Sequence, residues 1–294
     1  MQALRATWRR RRLRRRAERN AAAAPERKRQ MRVIVTRPEA QGAAFVQRLQ
    51  ALGIDAVALP LIEIAAAVDS QRVRAAWADD LPHCALAMFV SANAVTHFFG
   101  TRAAGQEWPR RTLAGSSGPG TSAALRAAGV PPAQIVDPGP EGPFDTDTLW
   151  QRHLAARDWA GQRVLLLRGE GGRDWLATQL RQAGARLDIV ATYRRLPPAL
   201  SQAGRDVLAH ARRDPGAHCW HFSSGEAVDN LARLCADADW SRARALATHA
   251  RIAARARESG FGRVAEVGLR AEDVAAALAR DLDGRAEAGD SPRR

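Results

Sequence analysis

Phe89-Val90-Ser91-Ala92-Asn93-Ala94-Val95 returns later in the chain as Phe222-Ser223-Ser224-Gly225-Glu226-Ala227-Val228. Outward from this pair the repetition spreads. Arg37 and Glu39 return as Arg168 and Glu170, and Leu49 and Gly53 as Leu180 and Gly184, at an offset of 131–133 residues. Ala123, Ala124 and Gly129 are echoed more loosely near Ala254 and Gly260. Each copy reads as strand, turn and helix. Residues 32–36 form a β-rich run ending at Arg37-Pro38, and Pro38 suits a helix start, where its missing N–H would be unbonded anyway. Phe45, Leu49 and Leu52 recur at helical spacing, Gly53 suits the cap, and residues 57–59 return as a strand. The second copy has a strand over 163–167, the turn Gly169-Glu170-Gly171-Gly172, a helix lined by Trp175, Leu176 and Leu180, and a returning strand over 187–192. Residues 86–90 and 219–222 are short apolar strands, each entering a helix after a serine, with Ser91 and Ser224 (or Ser223) as caps. A last helix is expected over 271–282, followed by a frayed polar tail over 283–294. Alternating strands and helices predict parallel sheets covered by helices on both faces. The duplication predicts an α/β protein of two similar lobes with a cleft between them, where ligands favour binding.

The formal charge of +14 suggests nucleic acid until it is located. Eleven arginines and one lysine against two glutamates fall within residues 1–30, which leaves the remainder at about +4. That Arg-rich extension has almost no apolar periodicity and reads as disordered. It lacks the apolar core of a secretory signal, and no stretch approaches membrane-spanning length. A nucleic-acid-binding arm is one reading of it. The other is a dispensable extension, with Met31 opening directly onto the first strand. Cys84, Cys219 and Cys235 show neither metal-ligand spacing nor a disulfide framework, which fits a reducing cytoplasm. His218 and His221 flank Cys219-Trp220, but on a strand they point to opposite faces, which argues against a metal site.

No general catalytic signature is present: no Walker lysine, no dinucleotide fingerprint, no nucleophile elbow. Gly169–Gly172 is a strand-to-helix turn whose free N–H groups suit an anion, although the glycines also fit a plain tight turn. Ser91 and Ser224 stand where strands end and helices begin, the edge at which open α/β sheets bind ligands. Asn93 adds a side-chain donor near the first of these turns, whereas Glu226 at the second would repel an anion. Thr121, after Gly118-Pro119-Gly120, opens another helix, and His249 and Arg251 hold the matching turn of the second half. With Arg37 and Arg168 these groups make a cleft suited to a polyanion. The single tyrosine, Tyr193, lies on an extended strap over 190–199 that matches a first strap over 58–67.

At these residues the chain resembles bacterial-type uroporphyrinogen-III synthases. The matching stretches are Val33–Pro38, Leu59–Ile64, Phe89–Val95, Leu167–Arg173, Tyr193–Arg195, Phe222–Val228 and His249–Ala253, in order from Met31 to about Leu282. Val90 and Gly225 depart from the usual wording, yet both leave backbone donors in place. The resemblance implies two lobes joined by a two-stranded ladder, one built from 31–62 plus 197–282 and the other, inserted, from 65–190. It implies cyclisation of the linear tetrapyrrole hydroxymethylbilane with inversion of ring D and loss of water, with no cofactor or metal. It assigns Tyr193 to departure of the ring A hydroxyl, and places Thr121 and the serine turns at the cleft. The expected substrate-binding set is therefore Arg37, Ser91, Asn93, Thr121, Arg168, Gly169, Gly171, Gly172, Ser223, Ser224 and Arg251. A monomer acting on a small molecule, away from membranes, is expected, with nucleic acid only through residues 1–30. A non-catalytic two-lobed protein binding an anion or tetrapyrrole is the competing expectation, and a nucleic-acid-recruiting regulator is a further one.

Overall fold

The computed structural model describes residues 31–288 apart from Gly142 and Arg173, so the expected Arg-rich extension lies outside the described residues. In chain order the main elements are β1 (Arg32–Val35), α1 (Glu39–Ala51), β2 (Ala56–Ala58), β3 (Glu63–Ala66), α2 (Ser70–Ala75), β4 (Leu86–Phe89) and α3 (Ala92–Phe99). They continue with β5 (Leu113–Ser116), α4 (Pro119–Ala127), β6 (Ile135–Val136), α5 (Thr146–Leu149), β7 (Arg163–Gly169), α6 (Trp175–Gln182) and β8 (Arg186–Leu196). The chain closes with α7 (Gln202–Arg213), β9 (His218–Phe222), α8 (Gly225–Leu234), β10 (Arg244–Ala247), α9 (Ala250–Glu258), β11 (Arg263–Glu266) and α10 (Ala271–Ala288).

The chain divides into two compact units, one taking residues up to Ile62 and again from Pro198, the other Glu63–Pro197. The first holds a parallel five-stranded sheet in the order β11-β10-β9-β1-β2. The second holds a six-stranded sheet, β3-β8-β7-β4-β5-β6, parallel except for the antiparallel pair of β3 with β8. Without β3, the two sheets have the same order of repeat-equivalent strands: β7 stands for β1, β8 for β2 and β4 for β9. Both sheets are covered on both faces, as parallel sheets require. In the second unit Phe89, Leu165 and Leu167 pack under α3 with Trp77 and Phe98, while Leu86, Met88, Val164 and Leu166 face Trp159 and Leu180. In the first, Val33, Val35 and Cys219 face Phe45, Leu49 and Val274, and Trp220 and Phe222 meet Phe261 on the other side.

Several local expectations need correction. Trp175 opens α6 within the expected helix, whereas Leu52 falls one residue past α1 as its C-cap; both are exposed at these helix ends. The last helix runs on to Ala288, through residues expected to fray, and residues 289–294 lie outside the described residues. The strand expected to stop at 192 continues to Leu196 and pairs with β3, so the extended stretch that carries Tyr193 is part of the sheet. That strand carries a bulge: Arg168 pairs with Ala191 and Gly169 with Tyr193, so Thr192 is the extra residue. In an unbroken strand Val190 and Tyr193 would face opposite sides. The bulge turns both into the same core.

Candidate functional site

Of the expected site residues, the second unit gathers the larger set at the carboxyl edge of its sheet. β4 ends at Phe89, and Ser91 begins α3 with extended backbone, its Oγ accepting the Ala94 N–H at 3.2 Å. β7 ends in Gly169, where a Cβ would lie 2.8 Å from Tyr193 Cζ. Only glycine lets the tyrosine ring cross there. The ring is fully buried. Its Oη lies 3.1 Å from Ser91 Oγ and accepts from Arg195 Nη2 at 3.2 Å. The His97 ring stacks near-parallel on it at 5.9 Å, and burial lowers the His97 pKa, favouring the neutral imidazole. Thr192 donates its hydroxyl to the Arg168 carbonyl at 3.2 Å, bonding the backbone beside the bulge.

Next to this group lies a pocket of about 320 Å³ lined by Val90, Ser117, Arg168, Gly169, Gly171, Gly172, Trp175 and Arg195, with Asp145 and Asp147 from the start of α5. Gly171 and Gly172 have φ of +72° and +113°, left-handed conformations that side-chain-bearing residues rarely adopt. The turn therefore needs both glycines, and the equivalent Arg37-Pro38-Glu39, which enters α1 directly, has no such turn. Arg168 bonds Asp174 at 2.7 Å, and the Asp145 carboxylate accepts the Thr148 N–H at 2.8 Å. Ser117 donates to the Val90 carbonyl at 2.9 Å. Asn93 is half-buried in the first turn of α3. Thr121 sits in the first turn of α4 and is 6 % exposed as a residue.

The remaining expected residues belong to the first unit. The Arg37 guanidinium lies 4.1 Å above the Phe45 ring and donates to the Leu269 carbonyl at 3.3 Å, and burial pushes its pKa down to about 10. Ser223 is half-buried. Ser224 caps α8 by position only, because its side chain makes no capping bond. Gly225 beside it is overlain by Arg255, whose Cδ would be 3.3 Å from an added Cβ and whose guanidinium pairs with Asp229 at 2.6 Å. Arg251 is exposed at the start of α9, its N–H donating to His249 Nδ1 at 3.1 Å. His218 and His221 lie on opposite faces of their sheet; His221 is buried and stacked on Phe45 at 4.8 Å. Arg195, His97 and Ser117 were not among the expected site residues. Arg195 had a readable signal, since residues two apart on a strand share a face; His97 and Ser117 had none.

Fold and site define a duplicated, doubly wound α/β protein with a donor-rich pocket at one sheet edge. A family model described as uroporphyrinogen-III synthase HemD matches residues 43–268. The chain is 29% identical over 247 residues to uroporphyrinogen-III synthase of Salmonella typhimurium, covering 79% of this chain and 92% of that one. It is 32% identical over 172 residues to the Proteus mirabilis protein of the same name, covering 56% and 81%. Among solved structures, a mutant uroporphyrinogen III synthase of Thermus thermophilus superposes with a TM-score of 0.56 at 19% identity, covering 86% and 99%. The uroporphyrinogen-III synthetase of Helicobacter pylori gives 0.51 at 13% identity, covering 84% and 99%. Those two likenesses concern the fold. The chain belongs to the uroporphyrinogen-III synthase family, enzymes of tetrapyrrole biosynthesis.

Proposed function

We propose that this chain closes hydroxymethylbilane to uroporphyrinogen III, inverting ring D and releasing water. Supporting this reading is the Ser91–Tyr193–Arg195 group bonded at the sheet edge beside the Arg168 pocket. The ring A C–O bond breaks with its electrons going to oxygen as the pyrrole nitrogen pushes density outward, and loss of the ring A N–H proton balances the departing hydroxide as water, giving an azafulvene. The substituted α-carbon of ring D attacks it, and the spiro intermediate fragments and recloses inverted. The steps are redox-neutral. A donor at the leaving oxygen is what the bonded group supplies, while positioning governs which isomer forms. A pocket of about 320 Å³ is at the lower end of small-molecule sites and suits one pyrrole with its carboxylate side chains, held through Arg168 and the Gly171–Gly172 turn. The chain acts as a cytoplasmic monomer in this reading. Among the described residues no helix is long and apolar enough to cross a membrane.

The test is to supply freshly generated hydroxymethylbilane and resolve the product isomers. Isomer III in excess of isomer I is expected. Isomer I alone, at the uncatalysed rate, refutes the assignment and leaves a binding protein. Within this reading Tyr193→Phe slows turnover without abolishing it, and an unchanged rate removes Tyr193 from the mechanism.

A further inference from the structure

The hydrogen-bond chain through Tyr193 has a fixed direction. A guanidinium has only donors, so the phenolic oxygen accepts from Arg195. Tyr193 is fully buried, and among the described residues the acceptor within reach of its O–H is Ser91 Oγ. Pointing that hydrogen elsewhere would leave a buried donor unbonded, the costly arrangement. The phenol therefore donates to Ser91. The Ala94 N–H, also a donor only, bonds the same Oγ at 3.2 Å. With two bonds accepted, Ser91 has its hydroxyl hydrogen left to give, and no acceptor among the described residues takes it. Ser91 is half-buried and adjoins Val90, which lines the pocket. The bonded groups also polarise one another in sequence, which strengthens the last donor.

We infer that Ser91, rather than Tyr193, is the residue that touches the substrate: its hydroxyl donates a hydrogen bond to the departing oxygen, and Tyr193 and Arg195 are positioning residues acting through it. This rests on the proposed cyclisation. It also explains how a tyrosine with no exposed surface contributes to a reaction outside the core.

The experiment is a set of double-mutant cycles with isomer III formation as readout. Ser91→Ala is expected to lower kcat about ten- to hundredfold with little change in KM. Tyr193→Phe and Arg195→Met each lower kcat by less. In the Ser91→Ala background, adding either change is expected to alter kcat less than about twofold, since each acts through the missing hydroxyl. Ser91→Thr and Arg195→Lys, which keep a donor, restore most of the rate. Should Ser91→Ala disturb the helix cap, Ser91→Gly removes the same hydroxyl at a position that tolerates glycine. If wild type makes isomer III and Tyr193→Phe costs its full factor in the Ser91→Ala background, the phenol meets the substrate itself and the inference falls alone. If wild type makes only isomer I, the reaction and the inference fall together.

Discussion

His221 holds its imidazole in the core of the first unit with neither ring nitrogen bonded to a described residue. Burial, aided by nearby Arg37, pushes its pKa from the ordinary 6.5 down to about 3. Below pH 6.5 the unfolded chain takes up a proton there that the folded chain refuses. Stability is thus complete above that pH and drains as pH falls toward 3, by up to about 1.4 kcal/mol per pH unit. His221→Phe, which keeps a ring against Phe45, is expected to flatten the acid limb of thermal midpoint against pH; parallel limbs for the two proteins would dismiss the effect. Gly169 is sensitive for a steric reason. A methyl group there meets Tyr193 at 2.8 Å, and the ring, boxed in by His97 and the core, has little room to move. Gly169→Ala is expected to cost about 1–3 kcal/mol by overpacking and to slow isomer III formation by breaking the Ser91 contact. Unchanged calorimetric stability and rate would show that the ring is free to shift.

Turns and strand irregularities decide what the elements present. Gly172 lies at φ +113° with Arg168 Nη1 3.9 Å from where its Cβ would be. Gly172→Ala is expected to destabilise the turn by about 1–2 kcal/mol and to raise KM more than it lowers kcat. Steady-state kinetics checks this, and a selective loss of kcat would place the turn in the chemistry. The glycines, the serine caps and the strand–helix alternation were all readable in the chain, because each expresses a local backbone need or a burial period. The bulge at Thr192 was not. It arises from how β8 pairs with a strand whose partner residues lie some two dozen positions away, and alternation along 187–192 gives no sign of it. The same limit hid the burial of Thr121 and the covering of Gly225 by Arg255, since both come from packing between elements and not from spacing within one. Arg37 and Arg168 matched as repeats, yet one lies over Phe45 and the other lines a pocket.

Across the whole molecule, each sheet mixes strands from both copies of the repeat. The second unit is nonetheless continuous in sequence, with all six strands between Glu63 and Pro197. A fragment of residues 63–197 is therefore expected to melt in one cooperative transition; a fragment that binds hydrophobic dye and lacks near-ultraviolet dichroism would contradict this. The first unit is the opposite case. Its interior strand β1 needs β9 on one side, and Thr36, just after β1, bonds the His221 carbonyl 185 residues away. At ~5–20 residues per second, a ribosome takes roughly 10–40 s to deliver that partner. For that interval Val33, Ile34 and Val35, all destined for full burial, stand beside an incomplete sheet while the inserted unit folds first. The nascent chain thus carries an apolar strand edge in waiting, and its production in the cell is tied to chaperone supply and translation speed as much as to the stability of the finished protein.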